Sequence, residues 1–164
     1  RPYLGKIKVF TPTKRKYYIE TLKSHYDHTH YPEHLDVTKS VVKKLYPEYL
    51  DAYEKAISRR WGYMFNMMIM KKELLNDYCT CLFNILNEVF KQIDTTDYQA
   101  FTKRYVGRMS EILFNVWLEK KISTGELKSS ELKELKCNVE ENWMVKIPAF
   151  LKAKFFGKKY EESF

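Results

Sequence analysis

The apolar residues Leu75, Tyr78, Leu82, Ile85, Leu86, Val89 and Ile93 recur at helical spacing. A stripe that wide has to be buried against neighbouring elements, so the chain must fold around a helix running from about Lys72 to Ile93. Shorter patterns surround it. Tyr18, Leu22 and Tyr26 in "KRKYYIETLKSHY" predict an amphipathic helix. Val37, Val41 and Leu45 predict another, with Asp36 as its N-cap, and Pro47 is placed to open a third in "PEYLDAYEKAISRR". "DTTD" (94–97) reads as the cap of a helix with Tyr98, Phe101 and Tyr105 in register. Gly107 breaks that pattern before "RMSEILFNVWLEKK" resumes it with Ile112, Leu113, Val116 and Trp117 inward. Strand signals are few: the alternating "KIKVFTP" (6–12) and the apolar run "GYMFNMMIM" (62–70), which contains one amide, Asn66.

Composition agrees with a folded, mainly helical chain. Of 164 residues 45% are hydrophobic and 30% charged, and five Gly and five Pro point to long elements joined by short turns. Two strands rarely form a stable sheet alone, so the pattern implies missing sheet partners. Beyond Ile122 the chain turns polar, "STGELKSSELKELKCNVEEN", and reads as a loop with a short helix. It closes on "WMVKIPAFLKAKFFGKKYEESF", where aromatic residues mix with lysine and no acid lies between Met144 and Tyr160. That tail suits either docking on the domain through Trp143, Phe150 and Phe155 or contact with an anionic bilayer surface.

The net charge of +8 is uneven. Residues 1–24 hold seven Lys/Arg against Glu20, the last 21 hold five Lys against two Glu, and the body between them carries −1. Basic ends on a nearly neutral body favour an anionic partner, unless the lysines serve solubility alone. No signal-peptide pattern opens the chain and no apolar run approaches the roughly 20 residues of a membrane span. Cys79, Cys81 and Cys137 are odd in number, and the i, i+2 pair points to different sides of a helix. They read as reduced thiols of a cytoplasmic protein.

Candidate chemistry gathers in four places. All four histidines lie in "HYDHTHYPEH", where Pro32 interrupts any helix that would align them. A polar loop at a cleft rim is the expected reading there, and a zinc site the minor one. "SRRWGY" sets Arg60 and Trp61 together, either a turn with an aromatic anchor or a phosphate fork beside a stacking ring. "KRYVGRMSE" brings Lys103, Arg104 and Arg108 near Glu111. Arg108 and Glu111, three apart, read either as a surface pair or as a site carboxylate beside its arginine. Asn66 is either a core amide satisfied by backbone or the cleft-facing residue of its strand. The P-loop, dinucleotide-glycine, HExxH, G-x-S-x-G and D-x-D signatures are all missing from the chain.

Taken in order, "KRKYYIETLKSHYDHTH", "YPEYLDAY", "FNMMIMKKELLNDYCTCLFNIL", "RYVGRMSEILFNVWLEKK" and "FLKAKFFGKKYEESF" resemble the bacterial capsular and exopolysaccharide glycosyltransferases whose domain is catalogued only as of unknown function. The resemblance covers nearly the whole chain and implies a type A glycosyltransferase-like α/β fold, predominantly helical here with a few strands. It matches the C-terminal, acceptor-side half only. The first βα units, the nucleotide-binding strands and a "HYRR"-type segment would lie in a preceding half or a partner chain. Residues 1–122 would then belong to the catalytic domain, and 123–164 to a polar linker and basic aromatic tail. The resemblance implies Glu111 as the catalytic carboxylate, acting as acceptor-hydroxyl base or sugar-hydroxyl ligand. It places Asn66, Met67, His25, His28 and His30 around sugar and acceptor, while the residue types in the two basic motifs add Trp61 as a sugar-stacking ring and Arg60, Arg104 and Arg108 as phosphate ligands.

The expected activity is sugar transfer from a nucleotide-sugar donor to a glycan acceptor, lipid-linked at the cytoplasmic membrane face, with the 144–160 segment on anionic lipid. No metal ligand or cofactor is expected within this chain, and a divalent cation would accompany the nucleotide sugar in the full-length enzyme. The 164 residues alone are expected to be inactive. The rival reading is a non-enzymatic helical module docking on a protein or an anionic membrane. A nucleic-acid binder is disfavoured because the positive charge sits at the ends and not along one helix face.

Overall fold

The computed structural model describes residues 5–137 and 143–156. The 72–93 stripe forms α4 (Lys72–Gln92), which packs beside α2 (Glu33–Leu45) and α5 (Tyr105–Ser123). The central element is α5. Met109, Ile112, Leu113, Phe114, Val116, Trp117 and Leu118 are all buried, so this helix is enclosed on nearly every side. α3 (Leu50–Ser58) lies across it through Ala52, Tyr53, Ala56 and Ile57. The Trp117 indole N–H donates to Asp77 Oδ2 at 2.7 Å, which satisfies the one polar atom of the largest buried ring. Leu75, at the near end of the stripe, is an exception to the expected burial and stays exposed.

The strands are short. β1 (Val9–Pro12) lies between β4 (Ile69–Met70), antiparallel, and β5 (Leu132–Leu135), parallel, with Val9 opposite both Met70 and Leu132. A separate pairing joins β2 (Arg15–Lys16) to β3 (Trp61–Gly62). β5 corrects the reading of 123–142 as loop and short helix. A 3-10 turn at Ser129–Glu131 is present, but Leu132–Leu135 is drawn into a strand by the free edge of β1. Its charged composition carried no such signal.

Four other expectations change. The helix expected over 14–26 is only α1 (Leu22–Thr29), because Arg15 and Lys16 pair with β3 and Tyr18 is left 84% exposed. Thr21 caps α1 reciprocally: its Oγ1 accepts the Ser24 N–H at 3.1 Å, and Ser24 Oγ accepts the Thr21 N–H at 2.9 Å. Asp36 is not the cap of α2, which starts earlier behind Pro32, whose fixed φ of −56° already suits a helix. "DTTD" closes a turn, with Asp94 Oδ1 accepting the Thr96 N–H at 2.9 Å, and Gly107 lies inside α5.

The "GYMFNMMIM" run is not one strand. β3 and β4 hold only its ends, and between them the run is interrupted by the left-handed residues Phe65 (φ 93°) and Asn66 (φ 49°). Asn tolerates the left-handed region, while Phe occupies it only where the surroundings hold it. The last helix, α6 (Trp143–Phe156), carries Pro148 internally and packs on α1. The Trp143 side chain and residues 157–160, both part of the tail reading, lie outside the described residues. Among those residues no helix is long and apolar enough to cross a membrane.

Candidate functional site

The first turns of α5 face α1 across a cleft of about 500 Å³. Gly107, Arg108 and Glu111 share one side of α5 by helical spacing, Arg104 stands at its N-cap, and Phe101 and Lys103 precede it. Opposite lie His25, Tyr26 and Thr29 of α1, His30 just after it, and Arg15 and Tyr17 from the β2 side. The loop Met64–Asn66, left-handed at Phe65 and Asn66, closes one end.

That loop is held by α5. The Phe65 N–H donates to Glu111 Oε1 at 3.0 Å. Asn66 Nδ2 donates to the Gly107 carbonyl at 2.8 Å, and Ser110 Oγ donates to Asn66 Oδ1 at 2.8 Å. Deeper in, Asn115 takes the Tyr63 N–H at 2.8 Å on Oδ1 and donates from Nδ2 to the Tyr63 carbonyl at 2.9 Å. The amide of Asn66 is therefore neither buried in a strand nor offered freely to the cleft. It fixes the cleft wall to the helix that carries the charged groups.

Burial pushes the Glu111 carboxyl above the usual carboxylate range. The Phe65 N–H and the charges of Arg108, Arg15 and Arg104 oppose that rise without cancelling it. Arg108 and Glu111 make no salt bridge; the Arg108 guanidinium sits 4.5 Å from the Phe101 ring centroid. Four cations thus border one poorly solvated carboxylate. Such a lining attracts a polyanion and offers Glu111 as a strong hydrogen-bond acceptor for a hydroxyl. Among the described residues no group of three or more His, Cys, Asp or Glu is placed to hold a metal ion.

Of the residues singled out from sequence, Glu111, Asn66, His25, His30, Arg104 and Arg108 line this cleft. The others lie off it. Arg60 is exposed, with Nη1 3.4 Å from the Tyr18 carbonyl. Trp61 is covered by Lys14 Nζ and Arg59 Cζ, each 4.5 Å from its ring. His28 binds Glu20, and Met67 faces solvent. The expected histidine loop is largely helical, with His25 and His28 in α1 and His34 fully buried in α2 between the Tyr26 and Tyr98 hydroxyls. Arg15, Tyr17 and Glu20 were missed because their stretch reads as helix. The three cysteines are free thiols, and burial drives the Cys81 thiol up to about 12, so it stays protonated.

Fold and site together define a mixed α/β, mostly helical domain with a basic cleft around a desolvated carboxylate. The chain belongs to the family described as domain of unknown function DUF4422, which matches residues 1–122. It is also similar to a solved structure, the WbbM bifunctional glycosyltransferase in its apo form, at 32% identity and a TM-score of 0.75. That likeness covers 81% of this chain and 24% of the other, so the chain spans about a quarter of that protein's length. This is a glycosyltransferase-related domain. No curated protein matches the chain.

Proposed function

We propose that the domain is the acceptor-side half of a glycosyltransferase that moves a sugar from a nucleotide diphosphate donor to a glycan acceptor in capsular or exopolysaccharide synthesis. The observation that carries this reading is the cleft, where Arg15, Lys103, Arg104 and Arg108 border Glu111. Similarity to part of a bifunctional glycosyltransferase supports it. Guanidinium forks and a lysine match a departing diphosphate and disperse its charge as the glycosidic bond forms. Glu111, fixed through Oε1 by the Phe65 N–H, grips a sugar hydroxyl and sets its orientation. The nucleotide-binding strands come from a preceding half of the polypeptide, which would also hold any divalent cation bound with the donor.

The acceptor is placed at a membrane by α6. Met144, Ile147, Leu151 and Phe155 are exposed at positions that share one side of this helix, and the exposed Lys152 stands beside them. The opposite side of α6 packs on α1 next to the cleft.

The test is turnover by the full-length polypeptide with a panel of nucleotide sugars and an isolated glycan acceptor, read as release of nucleoside diphosphate. Glu111→Gln loses a charged hydrogen bond to the sugar and lowers turnover roughly 10- to 100-fold. Unchanged turnover overturns the role of Glu111, and no release with any donor overturns the activity.

A further inference from the structure

We propose that His25, oriented by Glu20, takes the proton from the attacking hydroxyl of the glycan acceptor; this rests on the glycosyltransferase reading and supplies its proton-transfer group. Glu20 stands just before α1 and is only 4% exposed. A carboxylate removed from water that far needs donors, and it has three. His25 Nδ1 lies 3.0 Å from Oε2, while His28 Nδ1 at 2.8 Å and Lys154 Nζ at 3.4 Å share Oε1. Burial alone would raise the Glu20 carboxyl, but the hydrogen bonds from His28 and His25 and the charge of Lys154 outweigh it and hold it below its ordinary range. Glu20 is therefore ionised near neutral pH and can only accept.

The consequence falls on the imidazole. Facing an ionised carboxylate, His25 must carry its hydrogen on Nδ1. Burial disfavours its charged form, Arg15 and His28 add to that, and Glu20 opposes it without prevailing. The ring is thus neutral near pH 7, with a lone pair on Nε2. That nitrogen has no hydrogen-bond partner among the described residues, and His25 lines the cleft. Ring packing fixes its direction: the Tyr17 ring lies 4.6 Å away and the Phe150 ring of α6 6.1 Å away, nearly parallel. The groups around the pair are Arg15 and Tyr17 from the β2 side, His28 on α1, and Lys154 and Phe150 on α6. Glu111, the cleft's carboxylate, is held through Oε1 by the Phe65 N–H at 3.0 Å, which ties it to the loop wall.

The step is a single displacement. The hydroxyl proton passes to His25 Nε2 as the acceptor oxygen bonds to the anomeric carbon. The bond from that carbon to the diphosphate oxygen breaks, and its electron pair leaves on the nucleoside diphosphate. Glu20 stabilises the imidazolium through the Nδ1 hydrogen bond until the proton is released to solvent.

The test uses the full-length polypeptide. His25→Gln lowers kcat roughly 10²- to 10⁴-fold and removes the acidic limb of the kcat–pH profile. Donor KM and affinity for UDP, GDP or dTDP stay within a few-fold of the unsubstituted protein. Glu20 is a positioning residue: Glu20→Gln lowers kcat and moves the acidic limb to lower pH, because the imidazole loses its stabilising charge, whereas Glu20→Asp keeps the limb. Nitrogen-15 histidine spectra of the unsubstituted protein show His25 as the Nδ1–H tautomer. Full kcat in His25→Gln, an Nε2–H tautomer, or a product that retains the donor's anomeric configuration overturns the base role while nucleoside diphosphate binding stands. Absence of that binding overturns the glycosyltransferase reading, and the base role with it.

Discussion

Glu111 shows how one residue carries both a cost and a use. Its carboxylate is poorly solvated and held by a single backbone N–H, so the folded protein binds its proton more tightly than the unfolded chain does. A carboxyl raised on folding contributes stability that is complete below its unfolded value and is lost as pH rises through its folded value. Glu111→Gln keeps an acceptor for the Phe65 N–H and removes the charge. Thermal melts of the two proteins should therefore differ little at pH 4, with the variant melting higher at pH 7. A variant that melts lower at pH 7 contradicts the assignment. Asn66 was legible as an anomaly but not as a clamp, because its partners Gly107 and Ser110 lie some forty residues away in the chain.

Among the elements, α5 was legible through Ile112, Leu113, Val116 and Trp117, which repeat at helical spacing and are all buried. Gly107 obscured its start. A Cβ built there meets no atom within 4 Å, so the glycine is required neither by packing nor by a left-handed backbone. It keeps the cleft lip low. Gly107→Ala should raise stability by about 0.5–1 kcal/mol through helix propensity. Gly107→Trp should fold equally well yet weaken nucleoside diphosphate binding at least about 10-fold, on the order of 1.4 kcal/mol, measured by calorimetry. Equal affinity in Gly107→Trp would show that the ligand binds elsewhere. β2 and β5 were illegible for a common reason: each is a short, charged segment whose strand geometry is imposed by a partner. Local propensity has little hold on such segments.

At the scale of the molecule, the basic tail and the body meet through α6, which holds Lys154 against Glu20 and turns Met144, Ile147, Leu151 and Phe155 outward. An apolar face beside lysine fits an anionic bilayer better than a neutral one. The full-length polypeptide should sediment with phosphatidylglycerol vesicles, bind phosphatidylcholine weakly, and dissociate as salt rises. Ile147→Asp with Leu151→Asp should abolish binding. Indifference to both lipid charge and salt would rule out the membrane contact. Orientation follows from the same packing, since α6 lies against the helix that contributes His25 to the cleft.

The sequence by itself determined the helical framework, the buried stripe of α4, the enclosed face of α5 and the nearness of Arg104, Arg108 and Glu111, because those relations repeat within a few residues along one helix. Tertiary structure alone decided that Arg15 and Tyr17 leave the first helix for the cleft wall. It also interrupted the methionine run with a left-handed loop and gave Glu20 two histidines and a lysine. Those outcomes depend on strand pairing, loop anchoring and desolvation between segments far apart in the chain, which local spacing does not encode.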